Sequence, residues 1–583
     1  MKDTMKLPVT VLIMTHNEEA NIGYALDSVT PYFNQIVVVD SFSSDRTVAI
    51  CEGYPDVYVY MHLFTHWAEQ RNWMLENCAL NNELVFFLDA DEYVDKRLIH
   101  ELALLLDSAT CFGACILERE FIFLGGSLKY AHGHPGIERI FRREGLHFKG
   151  EGAREYAFYK GSAIKLKSPY IHHDRKSVAD WIEKHNRNSD LEALLNSQPP
   201  DGNTVSEIDY SSVRNYDRQQ NLRIRRKAWN RIPRSIRPFV YFFFRYIVRL
   251  GILDGRSGLI YNYLHAFWYQ SLISIKTIEA QRQAHILRLK TDKGEFADAI
   301  DIADKMKVTV LIMTENEESN IEHCIVSVKD SFDQVIVTDS FSVDSTLQIC
   351  RSYPEVELFQ NKFAGWAEQR NWMLDHCDIR NEIVFFLDAD ETIQPNFIDE
   401  LRAILTSGSP FQAILLNVRY LFLQKYLKFS YGHPPIARIF RKEGLHFLGE
   451  GAREYARFSG KVMRMKAPIT HHDRRPLSFW IRKHNKNSDR EARVIIDRSW
   501  LGDEQKMLSS ISLRLKLFTR TKIWNRFPAI IKPFCYFMYR FILKLGFLDG
   551  RAGLIYCYLH AFWYYSLIDI KVYEHKQSVA KPL

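Results

Sequence analysis

Over the first ninety positions, short apolar runs rich in β-branched residues alternate with stretches whose apolar residues recur three and four apart. Val9 to Met14 fits a strand, and after the polar turn Thr15-His16-Asn17-Glu18 the positions Ile22, Ala25, Leu26 and Val29 share one face of a helix. Ile36 to Val39 predicts a strand that stops at Asp40, and Ser41 to Asp45 offers caps for a helix beginning near Arg46. A strand near Val57 to Tyr60, a helix carrying Trp67, Arg71, Met74 and Leu75, and an apolar strand from Leu84 to Leu88 complete the series. Alternating β and α elements with near-continuous apolar strands predict a mostly parallel sheet with helices on both faces. Such sheets bind ligands beyond the carboxyl ends of their strands, where Thr15 to Glu18, Asp40 and Asp89 to Asp91 all fall.

The whole pattern occurs twice. LIMTHNEEANI from Leu12 returns as LIMTENEESNI from Leu311, FFLDADE from Phe86 returns from Phe385, and the spacing stays at 299 residues as far as His173 and His472. That period is far too long for a solenoid, so each copy is a self-sufficient folding unit. The Leu-Asp-Gly triplets at Leu253 and Leu548 are only 295 residues apart, which places a four-residue loss around Asn196 to Asp217. The expected organisation is two α/β domains at residues 1–190 and 306–489, helical extensions at 191–286 and 490–583, and a charged linker at 287–305.

Composition adds modestly to this. With 46% hydrophobic and 25% charged residues the chain is a folded globular protein, not a disordered one. Nine scattered cysteines without a CxxC pair, and no basic-then-apolar leader, point to a reducing cytoplasm. The net charge of +7 matters because it is clustered: Arg225, Arg226, Lys227, Arg231 and Arg234 lie in a run without acids, followed by the aromatic stretch Phe239 to Phe244. The second copy repeats the theme from Arg514 to Lys532 and on to Met538. Basic then aromatic residues predict contact with an anionic membrane surface, on which the segment lies, since Arg245 and Arg249 leave the apolar run too short to span. The expected location is cytoplasmic and peripheral on the inner face of the membrane. Nucleic acid is not an expected partner, because no recognised binding motif accompanies the basic run. Oligomeric state is left open by the sequence.

Candidate chemistry gathers at the strand ends. Asp89 and Asp91 flank Ala90, and the strand period of two puts both carboxylates on one side of the chain. Paired acids so placed suit Mg²⁺ or Mn²⁺, hard cations that join protein carboxylates to substrate phosphates; the alternative is a cap for the next helix. Asp388 and Asp390 repeat the arrangement.

The succession TxNEExNI, VVVDSFSSDRT, WAEQRNW and FFLDADE closely resembles family 2 glycosyltransferases of the GT-A fold, and in particular the branch of lipopolysaccharide-core β-1,4-glucosyltransferases. The resemblance covers nearly all of both halves. It implies two tandem GT-A domains with Rossmann-like, mostly parallel sheets, a nucleotide diphosphate sugar donor (a UDP-sugar) and a glycolipid or glycan acceptor. It places Thr15, Glu18 and Asp40 in a nucleoside pocket, Arg71 near base or phosphate, and Asp89 and Asp91 at ribose and metal. The counterparts are Thr314, Glu317, Asp339, Arg370, Asp388 and Asp390.

Inverting sugar transfer also needs a carboxylate to take the acceptor hydroxyl's proton. By resemblance Glu155 and Glu454 match the family's acidic position, although Arg154 and Arg453 stand where another residue usually precedes it; Glu151 and Glu450 are the rivals. Among the pairs His172-His173 and His471-His472, one histidine of each completes the metal site on the same reading, and the alternative is a hydrogen bond to nearby backbone.

Overall fold

In the computed structural model the described residues are 6–108, 110–132, 136–151, 154–197, 232–233, 236–290, 305–432, 434–450, 453–497 and 531–580. They divide into two compact units, Met1–Thr277 with Tyr573–Leu583 as unit 1, and Ile278–Val572 as unit 2.

Unit 1 begins with β1 (Leu7–Thr15), α1 (Ile22–Val29), β2 (Phe33–Asp40), α2 (Thr47–Glu52), β3 (Val57–Met61), α3 (Trp67–Asn77) and β4 (Leu84–Asp89). After β5 (Glu92–Tyr93) and α4 (Lys96–Asp107) come β6 (Ala114–Leu117), β7 (Arg119–Phe123), β8 (Gly126–Ser127) and β9 (Ile137–Arg142). The series ends with β10 (His147–Glu151), β11 (Arg154–Phe158), β12 (Ala163–Lys165), β13 (Tyr170–His172) and α5 (Val178–Ser197). The main sheet has seven strands in the order β12-β6-β9-β4-β1-β2-β3. Only β9 runs antiparallel to its neighbours, so the sheet is mostly parallel, as the apolar runs predict. A four-stranded sheet, β5-β13-β7-β8, and the hairpin β10-β11 are interleaved with it along the chain. Unit 2 repeats all three sheets with the same strand order.

The strand period of two divides the core between the two sheet faces. Val11, Ile13, Val38, Phe86 and Leu88 pack with Ile22 and Leu26 of α1 and Leu98 and Leu102 of α4. Leu12, Val37, Val39 and Phe87 pack with Ala68 and Met74 of α3 on the other face. Strands covered on both sides must be apolar throughout, which is why β1, β2 and β4 read as unbroken runs. Each fully buried side chain of this kind contributes about 1.5–3 kcal/mol.

The extension of unit 1 consists of the helix Arg237–Phe243, a π-helical turn Phe244–Val248, the helix Gly255–Tyr261, the π-helical segment Asn262–Trp268 and the part of the helix Tyr269–Lys290 up to Thr277. Ile260, Tyr261, Leu264, Trp268 and Leu272 are buried, so this stretch packs within its own unit. The Leu-Asp-Gly turn has a structural role: Asp254 accepts hydrogen bonds from the backbone N–H groups of Lys129, Tyr130 and Ala131 at 3.0, 2.9 and 2.6 Å. Gly255 there has φ +63°, a left-handed conformation that disfavours a side chain. Asp549 does the same for Lys428, Phe429 and Ser430. The unit boundary falls inside the helix Tyr269–Lys290, upstream of the expected linker, of which residues 291–304 lie outside the described residues. Within unit 1, Glu574 accepts from the N–H of Val178 at 2.7 Å and caps α5. Within unit 2, Glu279 does so for Leu477 at 2.9 Å. The basic residues Arg225, Arg226, Lys227, Arg231 and Arg234 also lie outside the described residues.

Candidate active site

The parallel register sets Thr15 opposite Asp40 and Met14 opposite Asp89, so the carboxyl ends of β1, β2 and β4 bring their polar residues to one level. Thr15 Oγ1 donates to Asp40 Oδ2 at 2.7 Å, and Ser43 N donates to Asp40 Oδ1 at 2.7 Å. Asn17 N donates to Ser43 Oγ, and Glu18 N to Thr47 Oγ1, each at 2.7 Å. The Asp-Ser-Phe-Ser-Ser-Asp-Arg-Thr segment thus locks the loops after β1 and β2 together. Glu18 is itself held by Lys176 at 2.7 Å and Asn21 at 2.8 Å. In unit 2, Ser342 binds Asp339, and Glu317 pairs with Arg475 at 2.8 Å; burial raises Glu317 to about 7. Thr314 and Asp339 face each other across the same register pair, both buried.

Below this level lies a charged cluster. Arg71 is buried over the rings of Phe87 and Phe148, 4.8 and 5.5 Å from their centroids, and its guanidinium lies 3.0 Å from Glu155 and 3.8 Å from Asp89. Arg139 reaches Asp89 at 3.2 Å and Glu92 at 2.7 Å. Unit 2 repeats the set: Arg370 with Glu454 at 3.0 Å and Asp388 at 3.5 Å, and Arg438 with Asp388 and Glu391. Arg71 and Arg370 therefore serve first to hold carboxylates. Although burial pushes Asp89 and Asp388 upward, Arg139 and Arg71, or Arg438 and Arg370, hold both acids well below the usual range. Burial raises Glu155 despite Arg71 beside it.

This cluster predicts a stability effect. Asp89→Ala leaves the two buried guanidinium groups of Arg71 and Arg139 with one carboxylate each, Glu155 and Glu92, and is expected to cost about 3 kcal/mol, read as a lowered urea midpoint. Because the folded carboxyl is depressed, its stabilisation is complete above the unfolded value of about 3.9 and is lost as pH falls through the folded value. An Ala variant as stable as the parent at pH 7 would contradict it.

Asp91, Glu92 and His172 place one ligand atom each within 4.8 Å of one another. His172 Nδ1 is buried without a hydrogen-bond partner, 3.4 Å from Asp91 Oδ1. Burial, with Glu92 and Asp89 adding, raises Asp91 to about 6, against the pull of His172. An orphaned imidazole nitrogen beside a crowded, buried carboxylate is a donor set that fits a divalent cation. In unit 2, His471 lies 3.5 Å from Asp390 and 4.0 Å from Glu391, and Asp390 and Glu391 hold the imidazole up at about 9 against burial.

The second histidine of each pair stands apart: His173 and His472 donate their backbone N–H groups to the carbonyls of Asp91 and Asp390 at 2.9 and 2.8 Å. Burial, with Arg175 or Arg474, lowers both imidazoles to about 4. In the β10-β11 hairpin Glu155 pairs with Gly150, while Glu151 pairs with Arg154 one step nearer the tip; Glu454 and Glu450 are placed alike. Glu155 and Glu454 contact Arg71 and Arg370 of the cluster.

Sequence reasoning gave Glu92, Glu391, Arg139 and Arg438 no role. Glu92 ends the Asp-Ala-Asp-Glu motif, is almost fully buried and accepts the N–H of Asp89 at 2.9 Å. Its signal was present in both copies of that motif.

The family profile described as "Glycosyl transferase family 2" matches residues 10–158 and 309–452, which together make half of the chain. The chain belongs to glycosyltransferase family 2. Both matched regions contain the strand ends and the Asp-Ala-Asp-Glu carboxylates; the first also contains Glu155, whereas Glu454 falls just past the end of the second. The lipopolysaccharide core biosynthesis glycosyltransferase LpsC of Rhizobium meliloti is 29% identical over 195 residues, covering 32% of this chain and 71% of LpsC. Among solved structures, S. aureus TarS 1–349 in complex with UDP-GlcNAc is 15% identical, at a TM-score of 0.23, over 49% of this chain and 88% of that one. Glucosyl-3-phosphoglycerate synthase from Mycobacterium tuberculosis with Mn²⁺ and UDP-Glc is 25% identical, at a TM-score of 0.17; the match covers 19% of this chain and 43% of that one. The protein is a glycosyltransferase whose two α/β units carry the GT-A fold expected from the sequence.

Proposed function

We propose that each unit is an inverting hexosyltransferase that uses a nucleotide diphosphate sugar, a UDP-sugar, and that the chain is bifunctional. The observation that carries this reading is the repetition of one constellation: Asp89, Asp91, Glu92, Arg139, Glu155 and His172 recur as Asp388, Asp390, Glu391, Arg438, Glu454 and His471 with the same arginine–carboxylate pairs, while His172 faces Asp91 through Nδ1 and His471 faces Asp390 through Nε2. The loops fixed by Asp40 and Asp339 are the proposed floor of the nucleoside pocket. Asp91 with His172, and Asp390 with His471, would hold Mg²⁺ or Mn²⁺, which supplies charge stabilisation for the departing diphosphate. Glu155 and Glu454 are the proposed bases. As the acceptor oxygen bonds to the anomeric carbon and the bond to the diphosphate breaks, the hydroxyl proton passes to the glutamate. The test is metal-dependent turnover of a panel of nucleotide sugars by the full chain, since unit 1 includes Tyr573–Leu583 and a cut between the repeats would remove the cap from α5. Absence of any UDP-sugar turnover, with or without a lipopolysaccharide-core acceptor, would overturn the proposal.

The acceptor is proposed to be a glycolipid of the lipopolysaccharide-core kind, met at the inner face of the cytoplasmic membrane. No helix among the described residues is long and apolar enough to cross a membrane. The support comes from the extension helices, where Phe239, Phe243, Ile247, Val248, Leu250 and Leu253 are all exposed, Leu253 at 61%. Phe534, Ile542, Leu543, Leu545, Phe547 and Leu548 repeat this in unit 2, with Leu543 at 73%. An exposed apolar patch of this extent marks an interaction surface, and aromatic residues suit the headgroup level. Phe243→Glu with Leu253→Glu should weaken co-sedimentation with anionic vesicles at least tenfold, each lost apolar contact being worth about 1.5–3 kcal/mol. Unchanged sedimentation would remove the membrane from the account.

A further inference from the structure

A cavity of about 230 Å³ in unit 1 opens beside Asp91 and His172 and is walled by Arg119, His132, Lys184 and Tyr261. Phe121 lies between two imidazoles, with ring centroids 4.5 Å from His132 and 4.8 Å from His172. Arg119, two residues earlier on β7 and hence on the same strand face, donates to His132 Nε2 at 2.9 Å. Lys176, also on the wall, is engaged by Glu18, whereas Lys184 is exposed.

Unit 2 keeps the scaffold and changes the chemistry. Tyr420 lies between Tyr431 and His471 at 4.6 and 4.8 Å, the same stacked arrangement. At the position 299 residues after Arg119, however, stands Val418, and Tyr431 replaces His132. Val418 packs against the hydrophobic core of its unit. A guanidinium and an imidazole beside the reacting centre have thus become an isopropyl group and a phenol. Guanidinium groups recognise carboxylate and phosphate through paired charge-assisted hydrogen bonds, for which valine offers nothing.

On the reading that this cavity receives the acceptor, we propose that unit 1 selects an acceptor sugar bearing an anionic substituent, phosphate or carboxylate, through Arg119 and Lys184. Unit 2, with Val418, takes an acceptor without a charged group at that point. The two units then act on chemically distinct acceptors, and Arg119 against Val418 is the specificity-determining difference.

The test is a calorimetric titration of the full chain, saturated with UDP and Mn²⁺ so that donor sites are filled, with glucose 6-phosphate, glucuronate and glucose. One charged sugar per chain is expected to bind at least about tenfold more tightly than glucose, the gain of one charge-assisted contact. Arg119→Val should abolish that preference, Lys184→Ala should reduce it, and Val418→Arg with Tyr431→His should raise the stoichiometry from one to two. Equal binding of glucose and both charged sugars, or an unchanged preference in Arg119→Val, would overturn the proposal. Loss of UDP binding itself would instead count against the donor reading, and the same titration without UDP would still report on Arg119.

Discussion

Asp91→Asn is expected to lower metal-dependent sugar transfer by unit 1 about a thousandfold and to leave the fold intact. The size follows from losing a metal's charge stabilisation, worth several kcal/mol, at about 1.4 kcal/mol per tenfold. The fold survives because Asp91 lies beside His172 and is not one of the acids that hold the buried arginines; Asp89 and Glu92 are. Asparagine keeps the shape and removes a charge that burial already disfavours. The change is read as loss of Mn²⁺ affinity in titration together with loss of turnover, and raised Mn²⁺ should restore part of the rate. A variant that keeps both metal affinity and rate would exclude Asp91 as a ligand. Asp390→Asn is expected to behave likewise in unit 2.

Glu155→Gln is expected to lower turnover by unit 1 by about 10²–10⁴-fold while UDP affinity stays within about twofold, as removal of a general base does. The pH profile separates this role from a structural one. Burial raises the carboxyl of Glu155, so the base ionises at higher pH than a solvated glutamate, and the rate should climb with pH as it does so. In the Gln variant that limb should vanish. A profile of unchanged shape with a uniformly lower rate would reduce Glu155 to a partner that positions Arg71. The rival Glu151→Gln provides the control and should retain most of the rate.

Much of the fold was legible because its determinants are local. The runs from Val9, Ile36 and Leu84 could only be strands covered on both faces, and their polar ends fixed where a site had to lie. The duplication sharpened this, since each polar motif was read twice. The signature around Asp40 was legible as a motif, but its work of tying two loops together through Ser43 and Thr47 depends on hydrogen bonds across 26 to 29 positions of the chain. Arg71 is the instructive case. On a helix with no clear apolar stripe it reads as a surface cation or a phosphate ligand, yet it is buried between Asp89, Glu155 and two phenyl rings. Long-range pairing of β4, α3 and the β10-β11 hairpin decides that, and no periodicity records it. The histidine pairs were ambiguous for the same reason: β13 pairs with β5 and β7, which sets the His172 ring against Phe121 and Asp91 while His173 binds by its backbone.

The sequence also showed the aromatic extensions but not their second task. Asp254 and Asp549 clamp the loops that lead to the site wall, and Tyr261 and Tyr556 lie there tilted against Phe121 and Tyr420, with ring centroids at 5.2 and 5.3 Å. Extension and α/β domain are therefore one packed unit, with exposed apolar helices carried on the structure that walls the cavity beside Asp91 and His172 in unit 1.

The central claim is that the chain holds two independent active units. The most direct measurement is nucleotide-sugar turnover, across a donor panel with Mn²⁺, for the full chain, Asp91→Asn, Asp390→Asn and the double variant. Two independent units predict that each single variant keeps the other unit's rate, that those two residual rates add up to the parent's, and that the double variant is silent. If either single change silences all turnover, or if one of them costs nothing on any donor, the claim is contradicted.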